Sequence, residues 1–286
     1  VIQYLYLGRV EYEEALCLQA EIAALVAEGR AENVLLLLEH PAVLTLGRNA
    51  DRTNILASDE LLASRGVTVH EINRGGDVTY HGPGQLVGYP IFDLRTLRAP
   101  SGGRMGPVDF VRGMEEALVR LCGGFGVRAG RIPGLTGVWC GGAADGSLLV
   151  ESGGQERKIA AIGIHVARGI TSHGFAFNLT TNLRDFEWIV PCGIADHAVT
   201  SLEKEIPGAA LPPTLEALAH QAARYFGQVF DQQVLAVEDL AALRAQAAAV
   251  PVSEPRFPAE DTPLQTPPEV ERLLGCADLQ DRPVRA

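Results

Sequence analysis

Apolar residues recur at helical spacing between positions 11 and 29, where Ala15, Leu18, Ile22, Leu25 and Val26 share one face and Gly29 ends the run. This predicts an amphipathic helix docked on a core. The pattern then changes. Val34 to Leu38 is uninterrupted apolar sequence closed by Glu39-His40-Pro41, which predicts a buried strand, and Val43 to Leu46 predicts a second. A helix is expected over Ser58 to Ser64, an alternating strand over Val67 to Ile72 and a further strand over Gln85 to Leu94. Pro107 to Phe125 reads as a helix, with proline at its start and Gly123 and Gly124 near its end. Val138-Trp139, Leu148 to Glu151, Lys158 to Val166 and Phe175 to Leu179 are strand-like, and helix returns over Thr214 to Phe226 and Leu235 to Ala248.

Strands arrive in runs rather than in regular alternation with helices. That order predicts an α/β (α+β) sheet with helices on one side. From residue 250 to 286 the chain is rich in Pro, Glu and Asp and lacks a long apolar period. It reads as a disordered tail, with one short helix over Glu269 to Leu274, following a domain that spans 1–249.

Length and charge narrow the function. A chain of 286 residues is long enough for one large domain or two small ones. The net charge of -11 comes from 24 Lys+Arg against 35 Asp+Glu, a balance unsuited to neutralising phosphates. Nucleic acid and anionic membrane surfaces are therefore excluded as expected partners. No long uncharged apolar run and no leader-like N-terminus appear, so a soluble cytoplasmic protein is expected. Five scattered cysteines without a C-x-x-C pair suggest neither a disulfide framework nor a zinc site, and the seven histidines form no metal motif. No metal and no cofactor are expected.

Three segments can carry chemistry. The first, RGGDVTYHGPGQ over 74–85, places four glycines beside Arg74 and His81. Such a loop lets backbone N–H groups approach a ligand, whereas a plain hairpin needs only one or two glycines. It is neither a dinucleotide-binding fingerprint nor a Walker A loop. The second is KIAAIG over 158–163, where Lys158 opens an apolar strand; such a lysine is ordinarily a solvated edge residue. The third is IVPCGI over 189–194, where Pro191 and Gly193 put Cys192 on a turn. Cys17 and Cys122 fall in helical periods and read as core residues, Cys140 follows a strand, and Cys276 lies in the tail. On chemistry alone, Cys192 with His81 or His173 would also make a thiol hydrolase dyad.

Read together, RGGDVTYHGPGQLVGYPIFDL (74–94), GLTGVW (134–139), KIAAIG (158–163), HGFAFNL (173–179) and PCGI (191–194) resemble, in order and spacing, the lipoyl(octanoyl) transferase family. The resemblance spans about residues 33 to 205. It implies a fold similar to the biotin/lipoate protein ligase superfamily, a mixed β-sheet core flanked by helices. It also implies transfer of an octanoyl group from octanoyl-acyl carrier protein to a lysine of lipoyl domains, on 2-oxoacid dehydrogenase E2 subunits and glycine cleavage H protein. Carried over by position, Cys192 resembles the acyl-thioester nucleophile and Lys158 the cation that favours its thiolate. The implied substrate-binding residues are Arg74, Gly75, Gly76, Asp77, Val78, Thr79, Tyr80 and His81, then Ala161, Ile162 and Gly163, then Gly174, Phe175 and Ala176.

Leu86, Val87, Ile162 and Phe175 are candidates for an acyl tunnel, and strand alternation lets only half of them face it. An acidic carrier meeting an acidic chain calls for a local basic patch, to which Arg48, Arg52 and Arg74 are assigned. His165 stands where family members commonly carry Arg. Two other readings remain open. One is an ATP-dependent lipoate or biotin ligase, which would typically show a different Gly-rich loop and has no need of Cys192. The other is a non-catalytic carrier- or lipoyl-domain-binding protein.

Overall fold

The structure, a computed structural model, describes residues 1–141, 156–190, 198–208 and 210–250. In chain order its elements are β1 (Ile2–Arg9), α1 (Tyr12–Ala27), β2 (Asn33–Glu39), β3 (Val43–Leu46), α2 (Asp59–Ser64), β4 (Thr68–Glu71), β5 (Val78–His81), β6 (Gln85–Ile91) and α3 (Pro107–Gly123). There follow β7 (Ala129–Ile132), β8 (Leu135–Cys140), β9 (Arg157–Ala167), β10 (Ile170–Asn178), β11 (Ala198–Val199), α4 (Leu202–Glu205), α5 (Leu215–Val229), β12 (Val234–Ala236) and α6 (Leu240–Ala249). The expected strand at Leu148 to Glu151, the tail with its short helix, and both Cys192 and Cys276 lie outside the described residues.

Two sheets organise the chain. The larger runs β12-β1-β2-β6-β10-β9-β8-β7, with β11 attached to β9, and the smaller runs β4-β3-β5. The larger sheet is mixed: β1 pairs parallel with β12 and β2, whereas β6, β10, β9 and β8 join antiparallel. The apolar run at β2 explains the layering. Leu35 and Leu37 face a core built with α3 and α5, while Val34, Leu36 and Leu38 face a second core built with α1 and α6. Helices thus cover both faces, which corrects the expected one-sided arrangement. A strand apolar on every residue has no face to leave in water.

Local signals set the element ends. The Thr214 hydroxyl accepts from Ala217 N–H at 3.2 Å and starts α5, which buries Leu218, Ala222 and Phe226 on one stripe. Burying a side chain the size of Phe226 contributes about 2–3 kcal/mol. The expected helix from Leu235 begins instead at Leu240, because the Asp239 carboxylate accepts from Ala242 N–H at 2.7 Å and caps it there. The preceding Val234–Ala236 adds to the edge of β1 through the pairs Ile2–Val234 and Tyr4–Ala236. Likewise, the glycine-rich 74–85 stretch is not one loop. Val78–His81 within it is a strand against β3, leaving short turns on either side.

Candidate active site

Alternation along β5 sorts four of the expected binding residues. Val78 and Tyr80 turn into the core of the small sheet, where the Tyr80 ring packs on Phe186 at 5.4 Å and its hydroxyl donates to Asp185 Oδ2 at 2.8 Å. Thr79 and His81 face the other way, with Thr79 lining a small cavity beside Lys158. Ahead of them, the Asp77 carboxylate accepts from Asn54 Nδ2 at 2.6 Å, from Val78 N–H at 2.7 Å and from Asp51 N–H at 3.3 Å. It thereby ties residues 51–54 to the glycine turn.

The turn itself is seated on β9 and β3. Gly75 N–H donates to the Ile164 carbonyl at 2.9 Å, and a Cβ on Gly163 would fall 2.6 Å from the Gly75 carbonyl oxygen, so only glycine fits at 163. The Arg74 guanidinium is buried, 8% exposed, and donates to Thr45 O at 2.8 Å, to Thr45 Oγ1 at 3.0 Å and to Gly75 O at 3.1 Å. Arg74 therefore leaves the basic patch assigned to it. Arg48 and Arg52 are exposed, and Arg52 pairs with Asp59 at 3.0 Å. Among the described residues, the N–H groups of Gly76 and Asp77 meet no protein acceptor.

Lys158 is also buried, 8% exposed, rather than a solvated edge residue. Its ammonium lies 4.6 Å from the centroid of the Trp139 ring on the neighbouring strand β8, a cation–π contact. Gly137 makes room for it: a Cβ there would meet the Ala160 carbonyl at 2.7 Å and the Lys158 side chain at 3.4 Å. Behind Gly137, the buried Glu115 of α3 accepts from its N–H at 3.0 Å and from Arg112 at 2.6 Å.

Lys158 lines a very small cavity, about 10 Å³, whose walls come from β5, β6, β9, β10 and β11 and from the 3-10 turn Leu183–Trp188. Ala161 and Ala176, a cross-strand pair, leave its space open. Of the proposed tunnel residues, Leu86 and Phe175 pack in the α3/α5 core and Val87 in the opposite one. Ile162 packs against the first of these cores. A larger open groove of about 700 Å³, lined by Tyr4, His220 and Arg224, shares no residue with the motifs.

Two further residues line the cavity beside Lys158, Gln85 and Asn178, and sequence reading did not single them out. The Gln85 amide nitrogen donates to Tyr80 O at 3.2 Å and Asn178 Oδ1 at 2.9 Å, so its oxygen accepts from His81 Nδ1–H at 2.8 Å. Asn178 Nδ2 donates to Thr200 O at 2.9 Å, and Thr200 N–H donates to Lys158 O at 2.9 Å. Both amides sit inside quoted motifs, HGPGQ and HGFAFNL; an amide inside a strand was their only signal.

The remaining titratable groups are set by burial. Burial pushes the Cys122 thiol well up and the Cys140 thiol up to about 12, which makes both inert as nucleophiles. Burial also lowers His81 and His173 to about 3, with like charge from His40 and Arg74 adding to the first and from Arg74 and His165 to the second. His165 is lowered by burial and by Arg48. No cluster of His, Cys, Asp or Glu suited to a metal exists among the described residues.

The model of the lipoyl protein ligase A/B catalytic domain matches residues 11–227. The octanoyltransferase of Acidobacterium capsulatum is 59% identical over 83% of this chain and 94% of its own, and that of Koribacter versatilis 50% identical over 84% and 88%. The chain belongs to the octanoyltransferase family. Its fold resembles that of solved lipoate ligases. The bipartite lipoate protein ligase of Thermoplasma acidophilum superposes with a TM-score of 0.60 at 14% identity, covering 87% of this chain and 91% of that one. A lipoate-protein ligase A bound with ATP gives 0.59 at 14% identity, covering 87% and 93%. The expected fold class holds for this octanoyltransferase-family chain, a mixed sheet flanked by helices. Among its described residues no helix is long and apolar enough to cross a membrane.

Proposed function

We propose that this chain takes an octanoyl group from octanoyl-acyl carrier protein, holds it as a thioester on Cys192, and delivers it to a lysine of lipoyl domains, those of 2-oxoacid dehydrogenase E2 subunits and glycine cleavage H protein. The observation that carries the reading is the buried Lys158, which lines one small cavity together with Ala161 and Ala176. The chain on either side of 191–197 is tied to the same region. Val190 N–H donates to Asn54 O at 2.7 Å, and Val199 pairs with Lys158.

The chemistry balances with these groups alone. The Cys192 thiolate, favoured by the Lys158 ammonium, attacks the thioester carbonyl, and N–H groups of the Gly76 turn stabilise the oxyanion. The carrier C–S bond breaks as Lys158 gives its proton to the departing thiol. A substrate lysine, arriving as the neutral amine, then attacks the acyl-enzyme and passes its proton to Lys158. The amide forms and the Cys192 thiolate is released. Thioester to amide is downhill, so the reaction consumes no ATP.

The test is turnover of a lipoyl domain with two sets of reagents, octanoyl-acyl carrier protein without ATP and octanoate with ATP. Acylation from the carrier alone supports the reading. Acylation only with octanoate and ATP makes the chain a ligase, and binding without acylation by either route leaves it a carrier-binding protein.

A further inference from the structure

Strand β10 contains one residue in a conformation that side chains rarely adopt: His173, buried, with φ of +56°. The reason lies in the strand opposite. Phe175 pairs with Gly88, and Thr171 N–H bonds the Phe92 carbonyl at 3.0 Å, so the shared register sets His173 against Pro90, which has no N–H to give the His173 carbonyl and whose own carbonyl accepts from the Thr171 hydroxyl at 2.6 Å. With that carbonyl occupied, His173 N–H turns out of the ladder and donates to the side-chain oxygen of Gln19 on α1 at 2.7 Å. The imidazole then reaches across to Asn73, with 2.7 Å between His173 Nε2 and Asn73 Oδ1.

Asn73 is the residue that enters the glycine turn. Just beyond it, Gly75 donates to Ile164, and Ile164 is the β9 partner of His173 in the ladder. The turn is therefore fixed at both ends of one short span, by Asn73 to β10 and by Gly75 to β9. A left-handed non-glycine residue persists only where its surroundings over-determine it, and such residues gather at functional sites. We infer that His173 is a positioning residue for donor binding: its strained backbone aims the imidazole at Asn73 and so fixes the Arg74–Gly76 turn against β9. This inference rests on the reading of that turn as donor-binding.

The test is a double-mutant cycle in steady-state transfer from octanoyl-acyl carrier protein to a lipoyl domain. His173→Gly keeps the positive φ without strain and removes the imidazole, while Asn73→Ala, at a half-buried position, removes the other partner and spares the β10 core. Each single variant is expected to raise the donor KM about tenfold, the worth of one buried hydrogen bond, with acceptor KM unmoved. The double variant is expected to match either single one, because both remove the same contact. A purely structural role would lower melting temperature without this split between donor and acceptor.

Gly163→Ala, which would push on the Gly75 carbonyl, separates the two levels of the claim. If Gly163→Ala raises donor KM while Asn73→Ala leaves it at the wild-type value, or if the double variant multiplies the single effects, the role of His173 is overturned. If Gly163→Ala also leaves donor KM unchanged, the turn is not the donor site and the underlying reading fails with it.

Discussion

The Thr200 N–H donates to the Lys158 carbonyl oxygen at 2.9 Å, so the chain that resumes after residues 191–197 is fixed beside the buried lysine. Two more contacts hold it there. Arg157, next to Lys158, pairs with Glu205 at 2.9 Å, and Thr200 Oγ1 donates to the same carboxylate at 2.7 Å. Burial alone would raise the Glu205 carboxyl, but these bonds outweigh it and hold the group below its usual range. The Asn178 amide closes the arrangement from β10.

Asn178→Leu keeps the volume and removes both amide bonds, leaving Thr200 O and one Gln85 donor buried without partners. Such losses cost about 1–3 kcal/mol each. A lower melting temperature is expected together with a fall in kcat, measured by calorimetry and by transfer assay. Wild-type kcat in a folded Asn178→Leu protein would show that the Gln85–Asn178 pair has no bearing on the lysine.

The Ala161–Ala176 pair borders the small cavity beside Lys158. Ala161→Leu closes that space and projects beyond it, and a single methylene more or less in an apolar pocket alters discrimination by about 10–200-fold. Competition between acyl carriers should show the preference moving from octanoyl toward shorter chains. An unchanged chain-length profile would place the acyl group elsewhere.

Acid should destabilise this fold through its histidines. Burial lowers His40 to about 4, where its ring meets Val10 O and the Tyr89 hydroxyl, each at 2.7 Å, and His81 and His173 lie at about 3. An unfolded histidine titrates near 6.5, so between that pH and about 4 the unfolded chain binds more protons than the native one. The contribution of the neutral rings is full above pH 6.5 and is lost as pH falls through this window. Melting temperature should drop from pH 7 to pH 5, and less steeply in His40→Gln; equal slopes in the two proteins would exclude His40 as a source.

Much of this was legible before the structure. The 3.6-residue period of 11–29 and the uninterrupted run at Val34 to Leu38 are strong signals, and the motif order pointed to Lys158 and the glycine turn. Other features were not readable because they depend on distant partners. The strand at Val234–Ala236 exists only through β1, and β5 is hidden among glycines that mark turns on both sides of it. Arg74 looked like surface charge beside Arg48 and Arg52, yet Thr45, 29 residues away, supplies the acceptors that bury it. Nothing in HGFAFNL reveals that His173 turns left-handed, since its backbone partners, Pro90 opposite it and Gln19 of α1, lie far away in the sequence.

The most direct test of the central claim is intact-protein mass after mixing the full chain with octanoyl-acyl carrier protein in the absence of ATP, alongside Cys192→Ser and Lys158→Ala. The expected result is an added octanoyl mass on the wild-type chain, slower to form on Lys158→Ala and absent from Cys192→Ser. An adduct that persists on Cys192→Ser, or none on the wild type while the lipoyl domain is still acylated, would contradict a thioester at Cys192.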